Sequence, residues 1–245
     1  PGLTFEPLPA TTAVRPQGSA DYERYIGTWT VTTTSSEVTG QPQTYTIRIE
    51  PYRNDKSYKV YDWGVTTLGS KEEDFPFILS YNEADGSVGI NSYEDLGMYG
   101  FTYYIYLRYR FLNEQSQPSI WVSEDTLVSG AYDAASNEIT ITCGTFNDNS
   151  GITQKITGLD YVLYTGGKYY EAQNLIRPGY LIGEGDNAKV DYGVGPYKLT
   201  KAPAAAAVSA KRPAKKFESL RPASETKQAA AVPLGVGRLS MMSVH

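Results

Sequence analysis

Residues 99–111 read YGFTYYIYLRYRF. Every second residue, Tyr99, Phe101, Tyr103, Ile105, Leu107, Tyr109 and Phe111, is aromatic or aliphatic. The set between them, Gly100, Thr102, Tyr104, Tyr106, Arg108 and Arg110, is mixed and turns basic at its end. A strand sends alternate side chains to opposite faces, whereas a helix would scatter these seven around its axis. The stretch therefore predicts a long half-buried strand. One face meets a tyrosine-rich core or cavity wall, and the other meets solvent or a partner.

The same alternation recurs outward from this strand. Upstream, Trp29 and Val31 share a face with the threonines opposite, and over 44–50 Tyr45, Ile47 and Ile49 alternate with Thr46, Arg48 and Glu50. Over 57–63, Tyr58 and Val60 point one way, and Tyr61 and Trp63 the other. Asp85-Gly86 is a hairpin signal between Phe77, Leu79 and Tyr81 on one side and Val88 and Ile90 on the other. Downstream, 119–123 and 126–132 read as two short strands or one broken by Glu124-Asp125, 138–143 and 156–164 read as further strands, and Gly166-Gly167 turns the chain. Ser19 can cap a helical turn holding Asp21 and Glu23, with Tyr22, Tyr25 and Ile26 pinning it. Eight to ten short strands with almost no helix predict an all-β fold, an antiparallel up-and-down barrel or, alternatively, a β-sandwich.

The segmentation follows composition. Residues 1–18 are proline-rich and read as a linker or leader; 19–165 hold the barrel strands; 166–200 read as additional hairpins or a cap. The basic stretch 201–245 collapses to Ala, Pro, Lys and Ser, too little apolar surface to offset ordering, and is expected to be disordered. The opening on Pro1 rather than Met reads as a trimmed or mature fragment.

Charge and residue usage exclude much. Residues 201–245 carry eight Lys and Arg against two Asp and Glu, leaving 14 basic against 25 acidic in 1–200. An acidic body repels nucleic acid, so none is expected as a partner. The lone histidine is His245, and the lone cysteine, Cys143, shares the face of Ile139 and Ile141 as a small apolar residue. A His-based triad, a Cys–His dyad and a Cys/His zinc site are therefore excluded. No cofactor and no metal is expected; Asn147-Asp148-Asn149 lacks the full calcium-loop pattern. No run of about 18 apolar residues is present, so no transmembrane segment is expected.

At Gly27-Thr28-Trp29 the chain resembles the lipocalin/calycin family, which carries G-x-W on its first strand just after a short helical turn. The resemblance implies that Trp29 closes the bottom of a barrel whose interior takes small hydrophobic molecules. In that family the Trp pairs with an Arg or Lys near the last barrel strand; 156–164, read as that strand, holds none. The Tyr-Ile-Gly-Thr-Trp-Thr-Val-Thr opening behind a Pro-rich leader is also similar to lipocalin-like domains of secreted or surface lipoproteins from Bacteroidetes. That implies an extracytoplasmic location, at the cell surface or in the periplasm of a bacterium, with room for a lipid anchor upstream of this fragment.

Three functions are open to such a barrel. The first is a non-catalytic module binding a small amphipathic molecule in a cavity lined by Tyr45, Ile47, Tyr58, Phe101, Tyr103 and Tyr109, whose hydroxyls fix orientation. The second is a carbohydrate- or protein-binding surface built on Tyr61, Trp63, Tyr104, Tyr106 and Trp121, since flat aromatics stack on sugar rings. Filled-core packing and cross-strand pairing are the ordinary uses of the same residues. The third, a glycosidase using Glu94, Asp95, Glu124 or Asp125, is the least favoured, because no spacing fixes two carboxylates across a cleft. No enzymatic activity is expected.

Overall fold

A computed structural model of the chain describes residues 17–64, 75–99, 102–171, 179–182, 189–202 and 235–236. Eight strands form a closed antiparallel barrel: β1 (Gly27–Ser36), β2 (Thr44–Arg53), β3 (Ser57–Tyr61), β4 (Phe77–Tyr81), β5 (Ser87–Ile90), β9 (Val128–Asp133), β10 (Glu138–Cys143) and β15 (Lys189–Lys201). Each pairs with the next, and β15 returns to β1 from Trp29↔Lys201 to Ser36↔Gly193. Closure leaves no barrel edge unpaired.

Two insertions between barrel strands build a second sheet. The first, between β5 and β9, carries β6 (Asp95–Tyr99), β7 (Tyr103–Leu112) and β8 (Pro118–Trp121). The second, between β10 and β15, carries β11 (Thr145–Asn147), β12 (Thr153–Thr165) and β13 (Lys168–Glu171). At its centre β7 pairs with β12 from Tyr104↔Tyr164 to Phe111↔Ile156. A further strand, β14 (Gly179–Ile182), pairs with the start of β15.

One end of the barrel is closed by aromatics. Ser19 caps the helical turn α1 (Ala20–Glu23), accepting from the Tyr22 amide, while the Glu23 carboxylate accepts from the Gly18 amide. Tyr22 stacks on Tyr58 at 4.3 Å; each hydroxyl donates to a carbonyl, Tyr22 to Ser57 and Tyr58 to Tyr22. Trp29 Nε1 donates to the Tyr25 carbonyl at 2.7 Å.

The second sheet lies across the other end. Its inner face, with Ile105, Leu107, Tyr109, Phe111, Ile156, Leu159 and Tyr161, joins the barrel residues in one buried cluster. The approach is close: a Cβ on Gly158 would lie 2.3 Å from the Tyr197 hydroxyl, so β12 can cross here only without a side chain. The Tyr109 hydroxyl donates to the Ile90 carbonyl at 2.7 Å and accepts from the Leu127 amide at 3.0 Å, tying the sheet to β5 and to the lead-in of β9.

Several sequence expectations are revised by this topology. The tyrosine strand, β7, is a strand of the covering sheet and not of the barrel wall. The barrel is closed by 189–201, drawn from the stretch expected to be extra hairpins or a cap, and Lys201 ends that strand instead of opening a tail. Beyond Ala202, the described part of 203–245 is β16 (Gly235–Val236), paired in parallel with Ser119 and Ile120. The rest of the expected tail, like residues 1–16 of the expected 1–18 leader, lies outside the described residues. The basic end of β7's second face, expected to meet solvent or a partner, is buried within the chain: Arg108 and Arg110 are 5% and 3% exposed.

Candidate functional site

The outer face of the second sheet gathers exposed and half-buried tyrosines. On β7, Tyr104 is 41% exposed and Tyr106 is half-buried; their rings are nearly parallel, 10° apart with centroids at 6.3 Å. Residues i and i+2 of a strand share a face, which is why the even set of the tyrosine strand lines up here. Register adds Tyr164 of β12 opposite Tyr104, and Tyr169 of β13 opposite Tyr164. Tyr106 meets Tyr164 at 5.6 Å and Tyr169 at 6.4 Å. Met98 of β6, 47% exposed, stands opposite Tyr104.

The β12–β13 turn explains how Tyr169 reaches the face. Gly166 and Gly167 both take positive φ, 55° and 78°, as a two-residue hairpin turn of the primed type needs. That turn fixes Thr165↔Lys168 and so Tyr164↔Tyr169.

Arg108 lies beneath these rings. Its guanidinium is 4.2 Å from the Tyr106 ring centre and 5.4 Å from that of Tyr169. Nη1 donates to the carbonyls of Ser92 and Leu107, and Nη2 to the Tyr169 hydroxyl at 3.3 Å. The next arginine along, Arg110, is taken by two carboxylates: Asp160 at 2.7 Å and, through Nε and Nη2, Glu37 at 2.9 Å. It also stacks on Tyr192 at 3.6 Å. These groups bind the β1–β2 turn and the start of β15 to the second sheet. The buried pair holds the Arg110 guanidinium firmly protonated, Coulomb attraction outweighing desolvation.

The residues expected to line a barrel cavity fall in several places. Tyr45 and Ile47 face the barrel interior, 7% and 1% exposed, and Tyr58 is fully buried. Tyr109 is also fully buried, but on the second sheet's inner face. Tyr103 is half-buried at the start of β7, and Phe101 lies outside the described residues. Burial pushes the Tyr58 and Tyr109 hydroxyls upward, so both stay neutral donors.

The expected surface aromatics divide as well. Tyr104 and Tyr106 are on the outer face. Trp63 is a correction: it is 4% exposed and packs inside the barrel on Phe77 at 5.6 Å and Tyr197 at 5.0 Å. Strict alternation puts it outside, but Asp62 takes a left-handed φ of 64°, which ends β3 and turns Trp63 inward. Trp121 is a correction too: opposite Tyr109 in register, it takes the inner face and stacks on Phe146 at 4.2 Å. Tyr61 is half-buried beneath the Arg48 guanidinium.

The loop carboxylates are not brought together as a pair. The Glu94 carboxylate points to the barrel, accepting from the Ile78 amide at 2.9 Å, and desolvation raises it to about 7. Asp95, opposite Tyr106, is exposed on the other side of the sheet. Glu124 and Asp125 sit exposed in the loop before β9. Asp148 accepts from the Ser150 and Ile152 amides and from Gln154 Nε2, a self-contained turn that holds its carboxyl below the ordinary range. Cys143 is pushed up to about 12 by burial. Among the described residues no cluster of His, Cys, Asp and Glu is placed to hold a metal, and no helix is long and apolar enough to cross a membrane.

Sequence reasoning put Arg108 on the face of Tyr104 and Tyr106 but missed that Tyr164 and Tyr169 join it there. Gly166-Gly167 was the available signal for the tyrosines, because a two-residue turn dictates which flanking residues pair. Comparison with protein-family models, with curated proteins and with solved structures finds no match to this chain.

Proposed function

We propose that this chain is a non-catalytic carbohydrate-binding module of an extracytoplasmic bacterial protein, and that its working surface is the outer tyrosine face of the second sheet. The observation that carries this reading is the parallel, outward pair Tyr104 and Tyr106, backed by Tyr164 and Tyr169 and held from below by Arg108. Aromatic faces offer apolar area to the C–H side of a sugar ring, and the surrounding hydroxyls and carboxylate match its hydroxyls. The calycin resemblance is supported by Lys201, which lies over Trp29 on the last barrel strand. The basis for the cell-surface or periplasmic location is the likeness of the opening 25–32, behind its Pro-rich leader, to lipocalin-like domains of Bacteroidetes surface lipoproteins.

Immobilised glycans probed with the protein test the reading. The wild type is expected to retain a defined subset, and Tyr104→Ala with Tyr106→Ala to lose it while keeping a folded far-UV spectrum, at a melting temperature lowered by the loss of Tyr106 packing on Ile120 and Val162. Equal retention by the double variant would sink the proposal.

A second reading, a small amphipathic ligand within the barrel, is favoured by one observation. Trp63 Nε1 and Gln43 Oε1 are buried without a hydrogen-bond partner among the described residues. Native mass spectrometry of gently purified protein distinguishes the two: a retained molecule of fixed mass supports the interior, and a bare chain supports the surface.

A further inference from the structure

We infer that the tyrosine face selects uncharged glycans over acidic ones, with Asp95 as the discriminating residue and Arg108 as a positioning residue that fixes the Tyr169 hydroxyl as a donor. The inference rests on the carbohydrate reading above and names the ligand class of that same face.

The first observation is that neither arginine of the face is offered to a ligand. Arg108 is 5% exposed, its Nη atoms are occupied by two carbonyls and the Tyr169 hydroxyl, and aromatic rings flank it. Arg110 is 3% exposed and bound by Glu37 and Asp160. A carboxylate or sulfate on a glycan needs an accessible fork or ammonium, and both of these cations are buried, Arg108 Nε included.

The second observation is the charge that is exposed. Asp95 stands opposite Tyr106 across the β6–β7 pair, and directly opposed residues of an antiparallel pair share a face. It is exposed, and its Oδ1 accepts from the Gly97 amide. An ionised carboxylate only accepts hydrogen bonds, so it welcomes a sugar hydroxyl and repels an acidic substituent. The proximity is felt by Tyr106, whose hydroxyl is raised by burial first and by Asp95 second.

The third observation concerns Tyr169. A hydroxyl has one proton to give and lone pairs to receive with. Arg108 Nη2 donates to the Tyr169 oxygen, and the Tyr169 proton has no acceptor among the described residues; beside a cation it is strengthened as a donor. The Tyr106 ring is thus flanked by an acceptor at Asp95 and a donor at Tyr169. Neighbouring hydroxyls of a neutral sugar ring, each able to give and receive, complement that arrangement.

Matched glycans test this: a neutral oligosaccharide against its uronic-acid counterpart of the same linkage, titrated into the full chain at low and high salt. The neutral form is expected to bind at least roughly fivefold tighter at low salt, the gap narrowing as salt screens Asp95. Asp95→Asn, an exposed substitution, is expected to narrow the gap at low salt. For Arg108, the readout is a double-mutant cycle: Tyr169→Phe weakens binding in the wild type and has little further effect beside Arg108→Met. Equal or tighter binding of the acidic glycan, or an unchanged ratio in Asp95→Asn, overturns the Asp95 assignment. Additive losses in the cycle overturn the positioning role of Arg108. Failure of the wild type to bind either glycan instead refutes the carbohydrate reading beneath it.

Discussion

Lys201 Nζ lies 4.0 Å from the centre of the Trp29 ring and donates to the Ile26 carbonyl at 2.7 Å. The two are register partners across the β1–β15 seam that closes the barrel. A cation over an indole contributes about 0.5–1 kcal/mol at a partly exposed site, and the charged hydrogen bond adds to it. Lys201→Met keeps the apolar stem and loses both. It is expected to lower stability by about 1–2 kcal/mol in urea unfolding, with an unchanged denaturant slope. No loss would mean that the seam closes without this contact.

Trp63 separates a core position from a surface one. Packed on Phe77 and Tyr197 inside the barrel, Trp63→Ala is expected to cost about 3–5 kcal/mol. A solvent-facing tryptophan would cost within about 0.5 kcal/mol. Equilibrium urea unfolding distinguishes these outcomes directly.

Much of the barrel is legible from alternation alone. The inward sets Trp29 and Val31, Tyr45, Ile47 and Ile49, and Ile139 and Ile141 are all buried, and the seven-residue apolar face of the tyrosine strand is buried from Ile105 to Phe111. Alternation does not say which sheet a strand joins. β7 carries the strongest pattern of the chain, yet barrel neighbours β5 and β9 pair across the insertion that contains it. Weak patterning in β15 hid the closing strand, because part of its length packs against the second sheet and β14. The face of Trp63 turned on one left-handed residue, Asp62, which no periodicity announces. The burial of Arg110 was not legible because its acid Glu37 arrives from a turn 73 residues away. At the site, Tyr104 and Tyr106 were legible as the second face of a strand, whereas Tyr169 depended on the register of a distant hairpin.

The Arg110 network gives a sharper test of that burial. Removing the guanidinium leaves Glu37 and Asp160 without their shared counter-charge at sites 7% and 0% exposed. Arg110→Ala is expected to destabilise the protein by about 3–5 kcal/mol, and Arg110→Lys to recover only part, since a point charge cannot engage both acids as the fork does. Full recovery by lysine would mean that charge alone, without geometry, holds the β1–β2 turn to the second sheet.

Glu94 sets a pH dependence. Burial raises its carboxyl to about 7, above the ordinary value of 4.5, against the opposing pull of the Ile78 amide. The folded value exceeds the unfolded one, so the fold favours the protonated acid. The stabilising contribution is complete below about 4.5 and is lost as pH rises through about 7. Glu94→Gln preserves a carbonyl acceptor for Ile78 without the charge. Melting temperatures from about pH 5 to about pH 8 should fall more steeply for the wild type than for Glu94→Gln. Parallel profiles would place the titrating group elsewhere.

The most direct test of the central claim is amide chemical-shift mapping of the labelled chain, titrated with the neutral glycan it retains best. A ligand on the outer tyrosine face is expected to perturb Met98, Tyr104, Tyr106, Tyr164 and Tyr169 and to leave the barrel-lining Tyr45, Tyr58 and Tyr197 unmoved. Perturbation centred on the barrel residues, with the outer tyrosines silent, would contradict the surface account and return the ligand to the barrel interior.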